Sequence, residues 1–503
     1  MTAPGRYRTL FFGTLQQCSD MSTGGTEIIN QVDMPVSMDG QGRHILKGTS
    51  LAGALLYTLR KLGYNPPIEL CIDDENPVPL AEKTGQKRPV YPSVWKVSNS
   101  HLAQGIKQGK TQLRQYVKID PASGAAEEGA LFDMEVISRG NEWDFLLEVD
   151  THKMPVQPNQ LDAEQLAAIA LLNWQEEGVH LGRRSVAGTG WFKLNNLKAL
   201  QLDINAVDEW PNNRQTPLQT LEELSQQHNQ HPGIELHNSE GLTKRLITQL
   251  NQRPVIQHPY RLEYEITLVA GPNKDESDDS TQWGLDGFFI GGHGTEMPFS
   301  LNDTSLNGHN WKDKFSTPQD YTLAPEDMPD NFFVYDEQGK PFIPGSSIRG
   351  VLHHQIRRNL TKHPEQEQLL NEIFGTTEVS SNLFVGDSHL DKDWKGLILH
   401  NHAEDEFTAG VYASSKFVRC QVIEGTFTSR IILEVNMAVD SNNPEALKQR
   451  QDKLEQHQAI LEQALRQASQ QQIAIGAKQW VDSGWLKWTW ELKNQSKLQE
   501  DAA

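Results

Sequence analysis

Cysteine is scarce. Cys18, Cys71 and Cys420 are the only three in 503 residues, and none sits in CxxC or Cys/His ligand spacing. That excludes a disulfide framework or a zinc finger and fits a reducing cytoplasm. Apolar runs near 18 residues are missing too, and the opening MTAPGRYRTLFFG lacks the apolar core of a secretion signal, so a soluble cytoplasmic chain with no membrane partner is expected. Positive charge is in deficit: 46 Lys and Arg against 66 Asp and Glu leave a formal net charge of −20. Indiscriminate polyanion binding is disfavoured, and a nucleic-acid site has to be a local basic surface. GxxxxGK[ST], HExxH, GxSxG and paired His-Asp motifs are also absent, which removes the common phosphate-loop, metalloprotease and serine-hydrolase chemistries. GGHGTE, with His293, is too short a glycine pattern for a nucleotide loop, and His400 with His402 has the spacing of an incidental strand pair.

What is present is enough apolar material to fold, at 37% of residues, and enough length for two or three domains at about 150 residues each. The chain repeats itself. YRTLFFGTL (7–15) answers YRLEYEITL (260–268), GGTE (24–27) answers GGHGTE (291–296), and RHILKGTSLAGALLYTLRK (43–61) answers KPFIPGSSIRGVLHHQIRR (340–358). SNSHL (98–102) answers GDSHL (386–390), and FDMEVISRGNEWDFLLEV (132–149) resembles FVRCQVIEGTFTSRIILEV (417–435), both as β-hairpin patterns. Each half then carries an amphipathic helix and two glycines eight apart before a tryptophan: Gly182, Gly190 and Trp191, then Gly476, Gly484 and Trp485.

Strand, helix, strand, hairpin, helix, strand is the split βαβ order of a ferredoxin-like or RRM-like domain. The expected class is therefore α+β, two such domains in tandem with insertions: 1–202, a Gln/Asn/Pro-rich linker or docking segment at 203–258, 259–490, and a polar tail at 491–503. A short helical pattern lies near QTLEELSQQ in the linker.

The Gly-hydroxyl-Ser junctions open helices. A helix start leaves amides unpaired and carries partial positive charge, so Lys47, Gly48, Thr49 and Ser50, and likewise Gly345, Ser346, Ser347 and Arg349, make candidate phosphate sites. The plainer alternative is that Thr49 or Ser347 caps its helix while Leu51, Leu55 and Leu59, or Ile348, Leu352 and Ile356, pack inward. The glycine loop offers Gly182, Arg183, Arg184 and Ser185 for phosphate contact, with Lys478 in the second copy, where Asp482 replaces Gly188. Solvated arginines on an ordinary loop are the alternative there.

These residues resemble the RAMP superfamily of CRISPR effector proteins, and within it the backbone subunits of type III RNA-targeting complexes. IPGSSIRG is close to the family's helix signature and LKGTSLAG is a looser copy; VKIDPASGAAEEGALFDMEV (117–136) resembles its central segment and LGRRSVAGTGW its glycine loop. The tandem layout looks like a fused, III-D-like subunit. The resemblance implies a β-hairpin thumb, placed around Pro121 to Phe132, binding of guide RNA (crRNA) and target RNA, and assembly with other backbone subunits and a large polymerase/cyclase-like subunit. It also implies target cleavage by a loop aspartate. Asp33, in VDMPV, lies fifteen residues before Gly48 and fits the family's pattern; Asp330 lies fifteen before Gly345, but Phe332 replaces the proline. Turn chemistry alone would also account for Asp33. A divalent metal ion, magnesium by expectation, is implied as cofactor, with Arg43 or His44 as a basic neighbour. Two rivals stand beside this reading: a non-cleaving guide scaffold, and a guide-processing endoribonuclease that would rely on a histidine, for which His44 is the candidate.

Overall fold

The computed structural model describes residues 7–25, 32–67, 70, 93–117, 127–150, 161–203, 234–271, 287–291, 305–306, 309–310, 315–316, 332–360, 364–401, 417–435, 443–477 and 483–495. In the first half these form β1 (Tyr7–Gln17), α1 (Gly48–Lys61), β2 (Trp95–Val97), β3 (Thr111–Tyr116), β4 (Phe132–Ile137), β5 (Glu142–Asp150), α2 (Ala163–Glu176), β6 (Trp191–Asp203), β7 (Ile234–Asn238) and α3 (Ser239–Leu250). The second half supplies β8 (Arg261–Ala270), α4 (Gly345–Asn359), α5 (Pro364–Phe374), β9 (Leu383–Val385), β10 (Ser388–Leu390), β11 (Lys395–Asn401), β12 (Phe417–Glu434), α6 (Pro444–Ser469) and β13 (Lys487–Gln495).

The antiparallel order β6-β1-β5-β2 in the first sheet is that of a ferredoxin-like fold, with first and third strands in the middle. The second sheet repeats it as β13-β8-β12, with β9 and β10 along the far side of β12. Leucines at four-residue steps explain α1: Leu51, Leu55 and Leu59 form one buried stripe, matched by Ile348, Leu352 and Ile356 in α4. Asp162 and Gln165 close a full capping box at the start of α2. Asn443 caps α6, with Pro444 in the first turn where its missing N–H costs nothing. Each half thus has its own core under its sheet.

The hairpin expectation fails in both halves. β4 turns away from β5 and pairs with β3, from Thr111↔Ile137 to Tyr116↔Phe132, as a separate ribbon. Met134 and Val136 are buried beside Tyr116 in a small cluster of their own, which rewards that pairing. In the second half 417–434 is one continuous strand, β12, whose beginning pairs with β11 and whose end pairs with β8. The ribbon leads into the expected thumb, of which 121–126 lie outside the described residues, as does the helical pattern near 219–227. Within the segment expected as linker or docking element, β7 adds to the edge of β6, and α3 buries Leu242 and Leu246 in the first core.

The two halves meet through buried charge. Lys61 and Glu177 of the first face Arg261 and Glu434 of the second, with Arg261 Nη1 2.8 Å from Glu434 Oε1 and Lys61 Nζ 3.5 Å from the same oxygen. Arg430 lies over Trp191, its guanidinium carbon 4.1 Å from the ring centroid, and His180 stacks on Phe384 at 4.6 Å. Such a buried set is costly to break singly, because removing one partner strands the other.

Candidate nucleic-acid interface

The two helix junctions are built alike, although not as the sequence suggests. Helix α1 starts at Gly48 and α4 at Gly345, and the residues before them, Lys47 and Pro344, give no side-chain cap. The cap comes from across the sheet: Asn99 Oδ1 accepts the Gly48 N–H at 2.9 Å, and Asp387 Oδ1 accepts the Gly345 N–H at 2.8 Å. Both caps lie in the repeated SNSHL/GDSHL segment.

Both junction glycines answer to backbone crowding. A β-carbon on Gly48 would stand 2.3 Å from the Val97 carbonyl oxygen, and one on Gly345 2.3 Å from that of Val385. Gly48 and Gly345, named among the candidate phosphate contacts, are both buried, with their amides taken. Neither Thr49 nor Ser347 caps its own helix, since Asn99 and Asp387 do so. What the first junction offers a ligand is the pair of exposed residues Thr49 and Ser50 beside half-buried Lys47; the second offers half-buried Ser346 and Ser347. Arg349 is already engaged, donating to the carbonyl oxygens of Leu383, at 2.9 Å, and Phe374. Burial, with the Arg184 charge nearby, pulls its guanidinium pKa down to about 10.

The glycine loops also repeat. Leu181 N–H donates to the Gly190 carbonyl at 2.7 Å and Ile475 N–H to that of Gly484 at 2.9 Å, closing each loop at its neck. Gly182, Gly190, Gly476 and Gly484 all have positive φ, from 75° to 92°, so the eight-residue spacing is a closure requirement. On the first loop Gly182 and Arg183 are exposed, and Ser185 opens a single 3-10 turn. Arg184 adopts a left-handed backbone and lays its guanidinium 4.1 Å from the Tyr116 ring centroid and 5.2 Å from that of Phe132. The same loop reaches the second half: a β-carbon on Gly188 would stand 2.5 Å from Asp387 Oδ1. Lys478 lies outside the described residues.

Asp33 is exposed beside the end of the ribbon that leads into the thumb. Its Oδ2 accepts the Asp133 N–H at 3.0 Å, Met34 N–H donates to the Asp133 carbonyl at 3.2 Å, and Glu135 N–H to the Met34 carbonyl at 3.0 Å. On its other side the segment is held by Gly25 N–H donating to the Pro35 carbonyl at 3.0 Å. VDMPV is therefore a strand-like insert between the glycine stretch after β1 and the ribbon. Asp330 lies outside the described residues. Arg43 is committed to Asp39, Nε to Oδ2 at 2.7 Å. His44 is buried, its Nδ1 accepting the Gly109 N–H at 3.1 Å, and burial lowers its pKa. Neither is presented beside Asp33 as a free base.

Among the described residues no group of three or more His, Cys, Asp or Glu side chains is placed to hold a metal ion. Mg2+ keeps several waters and is commonly held by one or two carboxylates together with substrate phosphates, so the exposed carboxylate of Asp33 would supply one ligand and the RNA backbone and water the others. No helix among the described residues is long and apolar enough to cross a membrane.

The residue that sequence reasoning missed is Arg114, in β3. Its Nη2 lies 2.7 Å from Asp20 Oδ2 and 2.8 Å from Asp387 Oδ2, and its guanidinium carbon 4.7 Å from the Phe342 ring centroid. Burial opposes its charge, but Asp387 and Asp20 overcome that and raise its pKa. No local motif marks it, because its partners lie 94 and 273 residues away.

Two ferredoxin-like units, each ending in a capped helix junction beside a closed glycine loop, define a duplicated α+β protein. The model of the RAMP superfamily matches residues 14–193 and 287–480, most of the chain, and the chain belongs to that superfamily, with one match in each half. Membership implies an RNA-binding role related to CRISPR type III effectors, which work in complexes with RNA and other subunits. No curated protein matches the chain.

Proposed function

We propose that this chain is a double-headed backbone subunit of a type III CRISPR effector, which holds guide RNA along its junctions and cuts complementary target RNA beside Asp33. The observation that carries the reading is the seating of Asp33: an exposed carboxylate pinned by the Asp133 amide at the end of the ribbon that leads into the thumb, on the segment that leads into the first junction. Phosphate contacts would come from Lys47, Thr49, Ser50, Arg183, Ser185, Ser346 and Ser347, which supply affinity without reading sequence. The thumb would displace a nucleotide and bend the target backbone, leaving a ribose 2′-oxygen in line with its phosphate. Asp33 would accept or orient the 2′-hydroxyl proton, and most of the rate would come from that alignment. Asp330 is proposed as the second head on spacing alone. The other backbone subunits and the polymerase/cyclase-like subunit are the proposed partners.

The guide-processing alternative needs a presented histidine, and the burial of His44 speaks against it. The test assembles the complex on guide RNA, adds end-labelled target, and compares Asp33→Ala, Asp330→Ala and the double variant. Loss of one cut per substitution supports two heads. Unchanged cutting by both single variants overturns the assignment, and guide binding with no cutting by the unmodified chain leaves a scaffold.

A further inference from the structure

We infer that Arg114 is a positioning residue that ties the loop bearing Asp33 to the junction of the second domain, so that the two halves present one fixed surface to the guide–target duplex. The inference rests on the proposed reading of Asp33. Three connections carry it, and all converge on one guanidinium.

The first runs through the ribbon. Arg114 pairs with Met134 across β3 and β4, and Met134 bridges to Met34, the neighbour of Asp33. The amide that holds Asp33 belongs to Asp133, the residue before Met134. A shift of Arg114 along its strand therefore moves the donor that orients the carboxylate.

The second runs to the base of the first glycine loop. Asp20 takes Arg114 on Oδ2 and the Arg139 N–H on Oδ1, at 2.9 Å, while its carbonyl accepts the Gly190 N–H at 2.7 Å. The third crosses to the second half, where Asp387 divides its two oxygens between Arg114 and the first amide of α4. Side-chain exposure is 10% for Arg114, 3% for Asp20 and 0% for Asp387.

The comparison within the chain shows that this is more than a helix cap. Asn99 does the capping in the first half with a neutral amide. Asn99 shows that a neutral amide oxygen suffices to accept the first amide; what the carboxylate at 387 adds is a charge, shared between the positive end of α4 and Arg114. Two buried carboxylates and one arginine leave a formal −1, offset in part by the positive end of α4. The planar guanidinium matters: Nη2 lies within 3 Å of both carboxylates while its face rests over the ring of Phe342, and an ammonium cannot stack in that way.

The test uses the assembled complex with guide RNA and labelled target under single-turnover conditions, comparing Arg114→Lys, Asp387→Asn and Asp33→Ala. Asp387→Asn keeps the cap, as Asn99 does, and so serves if Arg114→Lys fails to fold. The expected result is a fall in the cutting rate at the Asp33 position by about tenfold to a hundredfold in both network variants. Guide and target affinities should stay within about twofold, the pattern of a lost transition-state alignment. Hydrogen exchange at the amides of Met34 and Asp133 should speed up, which a remote loss of stability would not do selectively. Unchanged cutting in the variants that fold, or affinity and rate falling together, overturns the inference. If Asp33→Ala still cuts at that position, the underlying reading fails; if Asp33→Ala is silent while Asp387→Asn cuts normally, only the role of Arg114 falls.

Discussion

Asn99 and Asp387 perform one act in two places: each side chain reaches from the end of the second sheet strand to accept the first amide of the facing helix, at 2.9 Å and 2.8 Å. They differ by a charge that the second domain uses across the interface. Replacing Asn99 by Ala should therefore destabilise the first half by about 1 kcal/mol, the worth of a helix cap. Asn99→Asp should be tolerated, whereas Asp387→Ala should cost more than Asn99→Ala because it also removes one of the two carboxylates that hold Arg114. Denaturant midpoints for the three variants check the order.

Glycine substitutions separate what the protein needs from what a ligand needs. Gly188 has φ +102° and faces Asp387, so Gly188→Ala should cost about 1–3 kcal/mol. Gly53 and Gly350, the closing glycines of the two junction motifs, sit inside α1 and α4 with nothing within 4 Å of an added β-carbon. Alanine there should stabilise the free protein by about 0.5–1 kcal/mol. If guide RNA runs over these helices, the same substitutions should weaken guide binding, and thermal unfolding set beside a filter-binding titration would show opposite signs.

The duplication, the ferredoxin-like order and the helix cores were legible because they rest on local periodicity: Leu51, Leu55 and Leu59 announce a buried stripe without knowledge of a partner. Strand partners were not. The alternation in 132–149 is compatible with a hairpin, and only the separate burial of Met134 beside Tyr116 sends β4 to β3. The resemblance, matched by the spacing from Gly48, singled out Asp33 as a candidate, but no local signal marks the Asp133 amide that holds it. Nothing local to Gly48 or Gly345 marks the Val97 and Val385 carbonyls that crowd them, since a sequence shows a missing side chain without showing what fills its place.

Acid should loosen the joint between the halves. Burial pushes the pKa of His180 and of His258 down to about 3, and burial of Glu434 is outweighed by Lys61 and Arg261, which hold its carboxyl well below the usual range. A histidine with a depressed folded pKa binds more protons when unfolded, so its contribution is complete above the ordinary value of about 6.5 and declines as pH falls below it. The Glu434 contribution is lost lower still, below about 4.5. Melting temperature should thus hold from pH 8 to about 7, fall from about pH 6.5, and steepen below about pH 4.5. His180→Phe should flatten the first part of that fall, since both of its ring nitrogens are buried without partners. A melting series across these pH values, with and without the substitution, checks the sign.

Asp33→Asn offers the sharpest separation of chemistry from structure. The amide oxygen can still accept the Asp133 N–H, so the loop keeps its seat, while the group that would take or orient a proton is gone. Because Asp33 is exposed, stability should change by less than about 0.5 kcal/mol. Cutting at that position should fall by about a hundredfold or more, the range lost when a positioned acid or base is removed. Guide and target affinity should stay as they were. If Asp33→Asn cuts at the unmodified rate, Asp33 is an anchor for the ribbon and the reacting group lies elsewhere; if it cuts slowly but also melts early, the amide has not kept the Asp133 bond and the lost seat of the loop accounts for the slow cutting.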